Sequence, residues 1–144
     1  MATVHFEHVE LTQTIIGRFY HVYNKLGYGF LEKVYENALT IALRKAGLTV
    51  GQQVPIDVYF EGQIVGQYEV DLVVNDAVIL ELKVARSIDP KHEAQLLNYL
   101  KATRYEVGLL LNFGVDKADL KRKAFSNSRK GSLSWIQPAT DSSK

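Results

Sequence analysis

Asp71, Glu81 and Lys83 are ionisable side chains set into segments that otherwise belong in a protein core. In Val78-Ile79-Leu80-Glu81-Leu82-Lys83-Val84 five of seven residues are aliphatic, the make-up of a central, buried strand. Side chains alternate along a strand, so Leu80, Leu82 and Val84 share one face while Glu81 and Lys83 share the other. Asp71 repeats the anomaly in the preceding apolar run, Tyr68 to Val74. A hairpin through Asn75-Asp76 would bring Asp71 and Glu81 close enough to share a ligand. Charges so placed are costly unless partnered, and two chemistries answer that demand. One is a structural ion pair of Lys83 with either carboxylate. The other is metal-assisted phosphodiester hydrolysis. Hard carboxylate oxygens would hold Mg²⁺ or Mn²⁺ and leave positions for water and phosphate, and the metal would polarise the phosphoryl oxygen and acidify the water. The lysine would orient or deprotonate that water, or offset charge developing on phosphorus. The spacing alone leaves both open.

The elements that must position these residues follow from periodicity. Val9, Leu11, Ile15, Ile16, Phe19, Val22 and Leu26 recur at helical spacing, predicting a helix over 8–25, which Gly27-Tyr28-Gly29 breaks. A second helix is expected from about Phe30 to Lys45, ended by Gly47. From Thr49 the pattern turns to strand and leads through Phe60 into a turn at Glu61-Gly62-Gln63. Two more strands follow, Ile64 to Val74 and Ala77 to Val84. Pro90 marks the start of a helix that carries Glu93 to Leu100, and the apolar run within Tyr105–Phe113 reads as a buried strand. A last helix and a short strand complete the expected order. No repeat or interdomain linker is evident, so a single domain is expected, with a core of about 8–136 and a polar, frayed tail over 137–144.

Composition narrows the function classes. The 144 residues are 47% hydrophobic and 23% charged, ordinary for one globular domain. There is no cysteine, which excludes disulfides, thiolate metal sites and cysteine nucleophiles. No apolar run approaches the ~20 residues that span a bilayer, and Met1 to Glu7 lack a signal core. A cytoplasmic protein without membrane attachment is the expectation. The formal charge is only +1, but Lys117, Lys121, Arg122, Lys123, Arg129 and Lys130 cluster between Asp116 and Gly131. On charge alone that stretch is a solvated helix face. Near a catalytic site, Lys121, Arg122 and Lys123 would contact nucleic-acid phosphates. His5 and His8 lack a third ligand, and His92 is read as a surface residue.

Taken together, the motifs resemble a known family. Asp71, nine intervening residues, then Glu81-Leu82-Lys83 is similar to the PD-(D/E)xK nuclease signature, with Val70 in place of its proline. Gln95-Leu96-Leu97-Asn98-Tyr99 resembles the Gln-x-x-x-Tyr helix motif of the RecB-like branch. Gly29-Phe30-Leu31-Glu32-Lys33-Val34-Tyr35 resembles the motif that names the GxxExxY proteins. The likeness runs roughly from residue 8 to 126. It departs in the first helix, where Tyr23 stands in place of a histidine, and at Leu26-Gly27-Tyr28-Gly29, where relatives read Leu-Gly-Pro-Gly.

The resemblance implies a restriction-endonuclease-like α/β fold with an α-β-β-β-α-β core, its mixed sheet flanked by helices. It implies metal ligation by Asp71 and Glu81, completed by Glu32 from the second helix, with Lys83 serving the water or transition state. Gln95 would bind a phosphate or a metal-bound water. Tyr99 would pack its helix while its hydroxyl reaches the site, and Tyr35 lies on the same helix side as Glu32, whereas Glu36 is read as solvated. The expected activity is Mg²⁺- or Mn²⁺-dependent hydrolysis of DNA phosphodiesters, with specificity supplied by a homodimer or another protein. The alternatives are a catalytically silent nucleic-acid-binding module or a protein-interaction domain that keeps the fold.

Overall fold

The computed structural model describes residues 8–136, so the expected tail over 137–144 and His5 lie outside the described residues. Two helices open the chain, α1 (Val9–Leu26) and α2 (Glu32–Lys45). Three strands follow, β1 (Val50–Phe60), β2 (Gln63–Val74) and β3 (Val78–Lys83), then α3 (Pro90–Ala102), β4 (Val107–Phe113) and β5 (Ala118–Ala124). Short 3₁₀ turns at Asn127–Arg129 and Ser134–Ile136 close the described chain. The strands form one sheet in the order β1-β2-β3-β4-β5, with β3 and β4 parallel and every other pair antiparallel. Among the described residues no helix is long and apolar enough to cross a membrane.

The sheet is the middle of three layers. On one side α1 and α2 bury Ile15, Phe19, Tyr35, Leu39 and Leu43 against Leu72, Leu80, Leu82, Leu109 and Leu111. On the other, Leu96, Tyr99 and Leu100 of α3 cover Val70, Val73, Ile79 and Leu110. The parallel β3–β4 pair is joined by α3 as a crossover, and β4 is buried at every position, as a strand covered on both faces must be. Phe113 anchors its end, stacked 4.2 Å from Tyr35 and edge-on to Phe19 at 4.9 Å.

Two expectations are corrected. The second helix begins at Glu32, with Leu31 extended as its N-cap. The segment after β4 is not a helix but the strand β5, so its basic residues do not lie on a helix face. The backbone of β4 explains this: its edge away from β3 needs partners for buried N–H and C=O groups, and residues 118–124 supply them in full antiparallel register. The sequence there alternates with period two, Leu120 lying against the α1/α2 core and Lys123 reaching Glu93 of α3.

One irregularity shapes everything near the site. In β2, Leu72 and Val74 face α1 and α2, yet Val70, in the same phase, faces α3. In β1, Val50 packs with the α1/α2 core, while Val54, Ile56 and Val58 pack with the α3 core. Both strands therefore change faces at one level, between Gln52↔Leu72 and Val54↔Val70. Gln53 takes a left-handed φ of 51° there, a conformation uncommon outside glycine and often tied to functional positions. Asp71 sits opposite it.

Candidate active site

The β2–β3 ladder runs Val74↔Val78, Val73↔Ile79, Leu72↔Leu80 and then stops. The next pair in register is Asp71 and Glu81, and here side chains replace the backbone ladder. The Asp71 amide donates to Glu81 Oε2 at 3.0 Å, and the Leu82 amide donates to Asp71 Oδ2 at 2.8 Å. Each carboxylate is thus held by the other strand's backbone, with one oxygen committed and the other left for a further partner. Gln53 Nε2 reaches Asp71 Oδ1 at 3.3 Å and Glu36 Oε1 at 2.8 Å, so the strained residue of β1 ties Asp71 to α2.

The electrostatics match this crowding. Burial pushes the Glu81 carboxyl up from 4.5 to about 8, with the Asp71 charge adding to it and Lys83 opposing it. Burial also raises Asp71, against the Leu82 and Gln53 hydrogen bonds and the Lys83 charge that lower it. Glu32 is exposed as a residue, but its carboxyl lies within electrostatic reach of the site. Loss of water and then the Asp71 charge raise its pKa. Tyr99, nearly buried, is raised by burial and then by the charges of Glu81 and Asp71.

Lys83 ends β3 beside Asn112 of β4. Lys83 takes no part in the ion pairs Lys33–Glu36, Arg86–Asp116, Arg104–Asp76 and Lys123–Glu93. Its ammonium acts on the carboxylates at longer range, and the structural ion pair of Lys83 with Asp71 or Glu81 does not form. The buried Asn112 fixes the backbone just beyond it. Its Oδ1 accepts from the Ala85 amide and its Nδ2 donates to the Ala85 carbonyl, both at 2.9 Å.

The structure brings Asp71, Glu81, Lys83, Glu32 and Tyr99 together and leaves other expected residues apart. Gln95 lies exposed on α3, one turn before Tyr99, and its side chain makes no hydrogen bond to a described residue. Tyr35 points into the core, where its hydroxyl donates to the Gly27 carbonyl and receives the Phe30 amide. It fixes the loop leading to Glu32 rather than touching the carboxylates. Lys121 and Lys123 share a face of β5 and Arg122 takes the opposite one. Lys123 is spoken for by Glu93 at 2.7 Å. His92 serves the α3 capping box with Asp89. Glu36 reverses its expectation: it is 3% exposed and holds Lys33, Gln52 and Gln53 at its two oxygens. Its spacing of four from Glu32 was the available signal; nothing in the sequence marked Gln53.

Among the described residues no group of three or more His, Asp or Glu is gathered tightly enough to cage a metal ion. The donor set nonetheless fits a divalent cation of the Mg²⁺ type, which is bound by one or two carboxylates and completes its shell with water and substrate phosphate. Two desolvated carboxylates, each with its pKa raised, lack positive charge, and Lys83 supplies only part of it.

The family model described as the PD-(D/E)XK nuclease superfamily matches residues 9–123. The chain belongs to that superfamily, and the match takes in every residue of the site just described. No curated protein matches the sequence. The crystal structure of SSO0001 is similar in fold, with 19% identity and a TM-score of 0.50 over 83% of this chain. This chain spans 59% of that one, and the likeness extends to the fold alone.

Proposed function

We propose that the protein is a divalent-metal-dependent nuclease that hydrolyses DNA phosphodiester bonds at Asp71, Glu81 and Lys83. The observation that carries this is the reciprocal locking of the two carboxylates onto each other's strands, with Lys83 beside them and bound to neither. A carboxylate pair serving only stability would be neutralised by its nearest cation; here Glu81 keeps Oε1 uncommitted and Asp71 Oδ1 is met only by the long 3.3 Å contact from Gln53.

Asp71 and Glu81 would hold the metal, with Glu32 reaching it from α2 directly or through water. When bound, the metal supplies Lewis-acid polarisation of the phosphoryl oxygen and a more acidic water. The rest falls to the chain. Gln53 and the Leu82 amide orient the Asp71 carboxylate, so the donor atoms pay little reorganisation on binding. The half-buried Lys83 ammonium, in no ion pair, lies beside the two carboxylates, where it would stabilise negative charge developing on the phosphoryl group. Gln95 is free to donate to a phosphate oxygen. The competing reading, a silent binding module, draws on the absence of a three-ligand cage. Both are settled by incubating single- and double-stranded DNA with the protein and Mg²⁺ or Mn²⁺, alongside Lys83→Ala. Metal-dependent cleavage lost in the variant is expected; no cleavage by the wild type under any of these conditions would sink the enzyme.

A further inference from the structure

Helix α3 separates two concave surfaces that share Asn98 and Lys101. One, of about 250 Å³, lies toward the β1–β2 hairpin and is lined by Val58, Tyr68 and Trp135. The other, of about 470 Å³, lies toward the end of β5 and is lined by Leu97, Phe125 and Arg129. No acidic side chain lines either one; the charged groups are Lys101 and Arg129. The aromatic residues are held in place from behind. The Trp135 indole N–H donates to the Lys101 carbonyl at 2.9 Å, and the Arg129 guanidinium lies 4.8 Å over the Phe125 ring.

The first surface is linked to the carboxylate site by two packed rings. Tyr68, 38% exposed, meets the Tyr99 ring at 5.5 Å, and Tyr99 feels the charges of Glu81 and Asp71. Along α3, Asn98 and Tyr99 follow Gln95 by three and four residues, on the same side of the helix. A chain lying along this side would pass from Gln95 over Asn98 to Tyr68, Lys101 and Trp135.

We propose that this track is a nucleobase-stacking subsite that holds a single-stranded nucleic-acid segment and presents its phosphodiester to the carboxylate site. It rests on the nuclease reading for its direction, but the binding itself does not need catalysis. Every base offers a π face to Tyr68 and Trp135, while Lys101 answers the phosphates. A duplex keeps its base faces in its own stack, so the subsite selects single strands and frayed ends. In the basic stretch of β5, Lys123 is paired with Glu93.

Trp135 is the only tryptophan in the chain, so its fluorescence reports on the subsite directly. The full-length protein in EDTA, where it cannot turn over, is titrated with a short oligothymidylate and with a blunt duplex of equal length. Saturable quenching by the single strand and none by the duplex at the same concentration is expected. Tyr68→Ala should weaken single-strand binding roughly ten-fold or more. Lys101→Met, which keeps the aliphatic stem, should flatten the salt dependence by about 0.7 in the log–log slope. Both variants are checked for an unchanged thermal melt. Affinity indifferent to both changes, measured by anisotropy of a labelled strand, overturns the proposal. So does quenching by polyglutamate without quenching by oligothymidylate, which would make this a peptide surface. A protein that binds the strand through these residues but cuts nothing with Mg²⁺ keeps the subsite and ends the nuclease reading. One that cuts, with affinity untouched by the variants, does the reverse.

Discussion

Replacing Glu81 by Gln in the metal-free protein tests whether the carboxylate pair is the unsatisfied site it is taken to be. Glu81 ionises near 4.5 when unfolded and near 8 in the fold, where burial and Asp71 oppose its charge. The folded state therefore binds more protons than the unfolded state between those values, and stability falls as pH rises through that window. Below about 4.5 the penalty is absent, and above about 8 it is complete. The interval corresponds to on the order of 5 kcal/mol, a large share of the ~5–15 kcal/mol that holds a typical domain together. Glutamine keeps a carbonyl to accept the Asp71 amide and carries no charge, so the variant should escape the penalty. Urea melts in EDTA should show the wild type losing midpoint from pH 5 to pH 8. Glu81→Gln should lose far less and become the more stable protein near pH 8. Lys130 adds a slope of opposite sign: burial lowers its ammonium from 10.5 to about 8, so stability is regained as pH rises from about 8 toward 10.5. Both proteins carry Lys130, so their difference isolates Glu81. Adding Mg²⁺ or Mn²⁺ at pH 8 should restore the wild type and leave the variant nearly unmoved. Parallel pH curves for the two proteins would refute the reasoning.

Lys83→Met removes a charge that makes no ion pair, so the melt should shift by less than about 1 kcal/mol while single-turnover cleavage falls by orders of magnitude; a loss of ~3–5 kcal/mol would restore the structural ion pair. Asn112→Ala strips both partners from Ala85 behind β3. It should destabilise by about 2–4 kcal/mol in urea melts, counting lost packing and unpaired backbone groups, and a change under 0.5 kcal/mol would contradict its fastening role. Replacing Lys121, Arg122 and Lys123 together by Ala should lower DNA affinity and its salt slope with saturating single-turnover cleavage nearly unchanged; an unaltered slope would leave β5 a structural edge.

Much of this architecture was legible because one face of each helix and both faces of the central strands are buried. Val78–Lys83 and Val107–Phe113 announce themselves as core strands by composition, and Glu81 and Lys83 stand out against them. The nearness of Asp71 to Glu81 was legible from the short turn, but the exact register was not: Val74 pairs with Val78, so Ala77 joins Asn75 and Asp76 in a three-residue loop, and this sets Asp71 opposite Glu81. What stayed hidden depends on tertiary context. Residues 118–124 are polar enough to pass for a solvated helix, and only the open edge of β4 makes them a strand. Glu36 reads as a surface glutamate until Gln52 and Gln53 of β1 fold over it. The sequence motif places Tyr35 beside Glu32, but the ring of Phe113, contributed by a strand far along the chain, draws it into the core.

The simultaneous face reversal of β1 and β2 also bears on how such a chain can change over evolutionary time. Inserting one residue into a strand ordinarily turns every later side chain to the wrong side. Here the reversal is already present in both strands at the same level, at Gln53 and Asp71. The hairpin beyond it, from Val54 round to Val70, keeps its own phase relative to the half of the sheet that holds Asp71 and Glu81. It can be lengthened or shortened by matched pairs of residues while the carboxylates stay where they are. Gene-level variation in that hairpin is therefore a route by which the surface beside the carboxylates can drift while the carboxylate pair itself is inherited intact.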